Sequence, residues 1–230
     1  MRLKVLLINL PVPFVQMDYP LLNNLYEEVE GSSKGFEVFE KTNNSLNARF
    51  IEKKVEEGFV IGPYGGEERV VSISFNYIEF FAWPLDNGKI YLVLKNPSRS
   101  IRTFLQELHA VFGFGFSVSE AELSVLNFLY ALEDLSDVES VKVSKARVGG
   151  IKLSSKASAN VEVSSSENAL KNVEDFVGTD NFTIDKLKFE LYFKGIKFKA
   201  EVSRTGIVSA PEAFFEYMGE ELKDLIFKCC

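Results

Sequence analysis

Apolar and polar residues alternate along KLKFELYFKGIKFKAEV, residues 186–202. Leu187, Phe189, Leu191 and Phe193 fall on one side, and Lys186, Lys188, Glu190, Tyr192 and Lys194 on the other. After Gly195 the alternation resumes, with Ile196, Phe198, Ala200 and Val202 against Lys197, Lys199 and Glu201. A period of two marks a strand with one dry and one wet face, so the segment predicts a β-hairpin.

The same reading runs through the rest of the chain. Arg2 to Leu10 is nearly all apolar and predicts a strand inside a sheet. Asp18 and Pro20 open a predicted helix over 19–30, stopped by Gly31. Strands are expected at 35–41, 46–54 and 70–83, with GPYGG (62–66) as a turn or loop. Asp86-Asn87-Gly88 signals a hairpin with its return strand at 89–95. A helix is expected from Pro97 to Phe112, its apolar positions at helical spacing. Ser119 and Glu122 form a capping-box pattern for a helix reaching Leu135. Strands at 139–148 and 150–164, broken at Gly149-Gly150, precede a short helix at 167–177. The hairpin follows, then a strand at 206–209 and a last helix begun by Pro211.

Strand-rich stretches edged by helices, without the βαβ rhythm of a parallel nucleotide-binding sheet, predict an α+β protein. Two subdomains are expected, 1–116 and 117–230, each an antiparallel sheet with helices mainly on one face. The chain's 230 residues, 46% hydrophobic with 21 Phe, suffice for a core without disulfides or metals. No run reaches the roughly 18–20 apolar residues of a membrane helix, and the N-terminal stretch reads as a strand, not a leader. A cytoplasmic location is therefore expected. The two cysteines, Cys229 and Cys230, are adjacent and read as incidental thiols.

Charge narrows the partners. The net −7 disfavours polyanions overall, yet residues 139–209 carry 12 basic and 9 acidic side chains. Lys142, Lys145, Arg147, Lys152 and Lys156 lie close in sequence, with no acid from 140 to 161. With Lys186, Lys188, Lys194, Lys197 and Lys199 around Tyr192 they make a candidate face for single-stranded nucleic acid, cations tracking phosphates while the ring stacks a base. The competing reading is a solvated sheet face, where Lys beside Glu is ordinary cross-strand pairing.

Groups able to break bonds are sparse. The single histidine, His109, sits beside an apolar helix face. No phosphate loop, nucleophile elbow or zinc spacing is present. Glu52-Lys53-Lys54 holds an E-x-K pattern on a strand, the arrangement by which Mg²⁺-dependent nucleases place a carboxylate and a lysine, here needing Glu37 or Glu40 as second acid. No cofactor or metal is otherwise expected.

Apolar surface is abundant instead. IEFFAW (78–83) puts Phe80, Phe81 and Trp83 on both faces of one strand, and Phe114 and Phe116 add to it. Arg99 and Arg102 stand in a helix's first turn, where the dipole disfavours cations, a position suited to an acidic partner. The sequence thus predicts a non-catalytic binding or assembly component that holds a protein partner or further copies of itself. Nucleic-acid binding through the lysine sheet and an E-x-K nuclease are the alternatives.

Overall fold

The structure is a computed structural model that describes residues 1–154, 157–177 and 182–230. It is α+β, and its strand pairing is largely antiparallel. The chain divides into two compact units, Leu6–Ser119 and Met1–Val5 with Glu120–Cys230. Strand β1 (Arg2–Asn9) gives its first residues to one and its last to the other.

In the Leu6–Ser119 unit, β1 is followed by α1 (Asp18–Leu22), β2 (Ser33–Lys41), β3 (Leu46–Ile61), β4 (Glu67–Pro84), β5 (Ile90–Lys95), α2 (Arg102–Phe112) and β6 (Ser117–Glu120). The strand order is β2-β3-β4-β5-β1, with β6 beside β1. One sheet face carries the core. Phe36, Phe50 and Phe80 from three neighbouring strands close around Phe104 of α2, with ring centroids 5.3 Å (Phe80) and 5.6 Å (Phe50) from it. Leu108 and Phe112 continue the stripe of α2 against this core, as their spacing predicts.

The expected helix over 19–30 is replaced after Leu22 by an extended strap. Leu25 bridges Phe36, and the Tyr26 amide donates to the Phe36 carbonyl at 2.9 Å. The apolar spacing is compatible with a helix, but Asn23 and Asn24 are weak helix formers, and the edge of β2 offers unpaired backbone groups. Gly35 lets the strap approach: a Cβ there would lie 2.6 Å from Tyr26 Cα.

In the other unit, α3 (Val125–Glu133), β7 (Val138–Ser154), β8 (Ala157–Ser164), α4 (Ala169–Val177), β9 (Thr183–Phe193), β10 (Ile196–Ser203), β11 (Ile207–Ser209) and α5 (Glu212–Cys229) follow. The strand order is β1-β11-β10-β9-β7-β8. Leu187, Phe189, Leu191 and Phe193 of β9 are all buried, as are Phe198 and Val202 of β10. Phe214 of α5 meets Phe198 at 5.6 Å.

Three expectations are corrected here. The Ser119–Glu122 segment does not cap a helix: 117–120 is a strand, and Ser124 caps α3, its Oγ accepting from the Asn127 amide at 3.4 Å. Gly149-Gly150 does not end a strand; β7 passes through it, and the register shifts between Val148 and Ile151. The last helix is kinked at Gly219, whose φ of 47° and ψ of −124° interrupt the helical backbone.

Candidate functional site

The β3–β4 pair outgrows its sheet. Its register runs from Leu46↔Ala82 to Ile61↔Glu67, whereas β2 accompanies β3 only to Lys53 and β5 accompanies β4 only to Glu79. Residues 54–78 therefore form a two-stranded ribbon without a further strand on either edge among the described residues. The GPYGG segment closes it: the Gly62 amide donates to the Gly66 carbonyl at 2.8 Å.

Paired residues share a face, and the two faces differ. The face continuous with Phe50 and Ile78 carries Glu52/Asn76, Lys54/Ser74 and Glu56/Ser72, with Val60 and Val70 near the tip. The other carries Ile51/Tyr77, Lys53/Phe75, Val55/Ile73, Glu57/Val71, Phe59/Arg69 and Ile61/Glu67. Along this second face Phe59 and Ile61 are each 72% exposed, and Ile73, Phe75 and Tyr77 are exposed as well. At its base the Arg49 guanidinium lies over the rings of Phe39 and Tyr77, 5.2 and 5.3 Å from their centroids, and bonds Glu37 at 2.6 Å. The 28–29 strap covers Lys53, which donates to the Val29 carbonyl at 3.0 Å. Arg69 and Glu57 form an ion pair on the same face. An apolar stripe of this extent exceeds the scattered exposed hydrophobics of ordinary surfaces.

The sequence-predicted contact residues lie elsewhere. Phe80 and Phe116 are spent in their own unit's core, Phe116 stacked on Phe112 at 5.8 Å. Phe81 and Trp83 are half-buried and stacked at 6.2 Å on the face opposite the core. Phe114 alone of this group is fully exposed. Arg99 and Arg102 are exposed and line a depression of about 580 Å³ with Leu105, Gln106 and His109. The His109 ring meets Phe116 edge-on at 6.1 Å, a packing role.

Glu52 and Lys54 do stand side by side, 3.5 Å apart, with Asn76 donating to Glu52 at 3.1 Å. They line a cavity of about 280 Å³ with Arg99, Ser100 and Thr103. Glu37 and Glu40, however, face the other side of the sheet: Glu37 pairs with Arg49 and Glu40 with Asn47 in the register. The second acid an E-x-K metal site needs is thus on the wrong face. Among the described residues no group of three His, Cys, Asp or Glu side chains is placed to hold a metal ion.

The lysine face forms, and carboxylates are built into it. Glu201 bridges Lys186 at 2.6 Å and Lys188 at 3.1 Å; Glu190 bridges Lys197 at 2.7 Å and Lys199 at 3.1 Å. Lys145 pairs with Glu162 at 3.0 Å. Lys142 lies opposite Glu190, and Arg147 opposite Lys186. Lys194 leaves the face: it sits in the turn with φ 50° and pairs with Asp137 at 3.0 Å. Lys156 lies outside the described residues. Hydrogen bonds from Lys197 and Lys199 hold the Glu190 carboxyl below its usual range. For Glu201, burial pushes upward, but the bonds from Lys186 and Lys188 outweigh it and the net direction is down. Tyr192 is exposed, with the Lys197 ammonium 6.0 Å from its ring centroid.

The ribbon stripe was missed because VVSISFNY reads as any half-exposed strand. The overlooked signal was length: apolar alternation begins at Val55 on one arm and persists to Tyr77 on the other, across a Gly-rich turn, with no helix nearby in sequence to cover it. A scan against protein-family models and a search of curated proteins return no match to this sequence. Among the described residues no helix is long and apolar enough to cross a membrane.

Proposed function

We propose that this chain is a non-catalytic assembly component that binds a protein through the apolar face of its β3–β4 ribbon. The observation that supports this reading is the ribbon's two-sidedness. One face carries Glu52, Lys54, Glu56, Ser72, Ser74 and Asn76, with Val60 and Val70 near the tip; the other sets Phe59, Ile61, Val71, Ile73, Phe75 and Tyr77 in solvent, with Glu57, Arg69 and Glu67 among them. Water gains nothing from such an arrangement, because leaving that stripe wet forgoes on the order of 25 cal/mol per Å² of apolar burial. Aromatic side chains in an apolar strip, with the Arg49 and Arg69 guanidiniums beside them, have the composition of protein interfaces. The lysine sheet supports the nucleic-acid alternative less well, since four of its lysines already share two carboxylates, Glu190 and Glu201, which halve their net charge.

The test is the size of the native species in extract of the source cells. The chain should travel in a particle heavier than its own 25.9 kDa, and Phe75→Glu should release it. A wild-type chain that travels alone would remove the proposal.

A further inference from the structure

We infer that the outer face of the β7–β9–β10 sheet binds single-stranded nucleic acid, a second contact that does not depend on the ribbon. Charge segregation carries the inference. The unit of Met1–Val5 and Glu120–Cys230 holds 16 basic and 19 acidic side chains, yet it does not mix them. Helix α5 takes Glu212, Glu216, Glu221 and Asp224. The outer sheet face takes cations instead: Lys142, Lys145 and Arg147 from β7, Lys186 and Lys188 from β9, Lys197 and Lys199 from β10. Glu162, Glu190 and Glu201 stand among them. Seven cations thus share three carboxylates, which lowers the charge of the face without cancelling it.

The register sharpens this. Lys145 stands directly across from Lys188, and Arg147 directly across from Lys186. Like charges so placed oppose strand pairing, whereas an ordinary wet face sets acid against base, as Lys199 and Glu190 do. Glu162 reaches Lys145 at 3.0 Å, and Glu201 reaches Lys186 and Lys188, so the four cations of these two rows hold two carboxylates. Nearby acids are engaged elsewhere: Asp185 with Arg204 at 3.4 Å, Asp137 with Lys194 at 3.0 Å. The rows lie two residues apart, about 7 Å, and phosphates laid along them supply the missing anions. Tyr192 makes a strand of nucleic acid a better occupant than a lipid surface. It is exposed four residues beyond Lys188 on β9, about 14 Å away, with the Lys197 ammonium beside its ring. A base stacks in such a setting while cations hold the backbone. A membrane-binding face would carry apolar groups that enter the lipid, and the two rows carry charge.

The purified full chain decides it. Fluorescence anisotropy with labelled oligo(dT) and oligo(U) of about 20 nucleotides should give a Kd of about 1–100 µM at about 50 mM salt. The log–log salt slope should be about −3, the value for about four phosphates on a single strand. Lys142→Gln with Arg147→Gln, both exposed, should weaken binding at least about 10-fold and flatten the slope by about 1.4. Lys171→Gln with Lys228→Gln removes the same charge from α4 and α5 and should leave binding unchanged. Tyr192→Ala should weaken binding about 5-fold or more at an unchanged slope, as the loss of a stacked base does. Absence of binding to either oligonucleotide would overturn the inference. So would equal loss in the helix variant, or a Lys142, Arg147 variant that binds like the wild type. Capture by vesicles of phosphatidylserine and phosphatidylcholine, with none by the oligonucleotides, would overturn it in favour of a membrane.

Discussion

Phe75 and Tyr77 stack on the outer face of the ribbon, ring centroids 6.1 Å apart and planes within 8° of parallel. Two residues apart on one strand, they point the same way by pleat geometry, and Tyr77 is sandwiched further by the Arg49 guanidinium. A rigid aromatic pair held in water, beside a cation, would need little reordering to meet the partner proposed above.

Substitutions on the two ends of β3 should separate binding from folding. Phe59→Ser combined with Ile61→Ser removes apolar groups that are already solvated, so urea denaturation should shift by no more than about 0.5 kcal/mol per site. Phe50→Ala, inside the core against Phe36 and Phe104, should cost about 3–5 kcal/mol. The share of the tip variant that travels in the heavier native particle should fall despite its unchanged stability.

Gly35→Ala should lift the strap. The new methyl would meet Tyr26 backbone atoms at 2.6 Å, which cannot rotate away as a side-chain end would. Hydrogen exchange should show the Tyr26 amide, now bonded to Phe36, losing protection, while the amides of β4 and β5 keep theirs. Unchanged protection at Tyr26 would count against the strap's dependence on this glycine.

Acid should dissolve the lysine face. Glu190 and Glu201 have folded pKa values below their ordinary ones. Their stabilisation is therefore present above the usual carboxylate range and disappears as pH falls through the lowered folded values. The difference in urea midpoint between wild type and a Glu190→Gln, Glu201→Gln double variant should be measurable near pH 7 and should shrink as the pH falls below the usual carboxylate range. The same variant frees four lysines. Its affinity for single-stranded DNA should rise above the wild type's, with a steeper salt dependence. No gain on freeing them would show that even the unpaired face does not attract phosphates.

The terminal thiols should react unequally. Cys229 is buried, and that burial pushes its thiol pKa up; Cys230 is exposed. Iodoacetamide should add once to the native chain, at Cys230, and twice after denaturation, as read by intact mass.

Strand identities were legible in the sequence wherever one face is dry. Leu187, Phe189, Leu191 and Phe193 are buried as their alternation demands, because a period of two leaves one side for the core. The apolar face of α2 was legible at Phe104, Leu108 and Phe112 for the same reason at helical spacing. The pairing of Lys186, Lys188, Lys197 and Lys199 with Glu201 and Glu190 was foreshadowed by charges alternating across a hairpin whose register the turn fixes. Local pattern failed at 23–30, where the open edge of β2 competed successfully with a helical spacing, and at Ser119, where a capping-box signature was overridden by pairing with β1.

By itself, then, the sequence determined which side chains share a face, since that follows from backbone geometry within a few residues. It did not determine which faces stay wet. Phe81 and Phe75 share one face of one strand and are equally apolar, but one is half-buried and the other exposed. The difference comes from how far β2 and β5 extend alongside β3 and β4, a matter of contacts between segments distant in the chain. Only tertiary structure ends the pairing of β5 at Glu79 and leaves the ribbon's apolar face beyond it without cover.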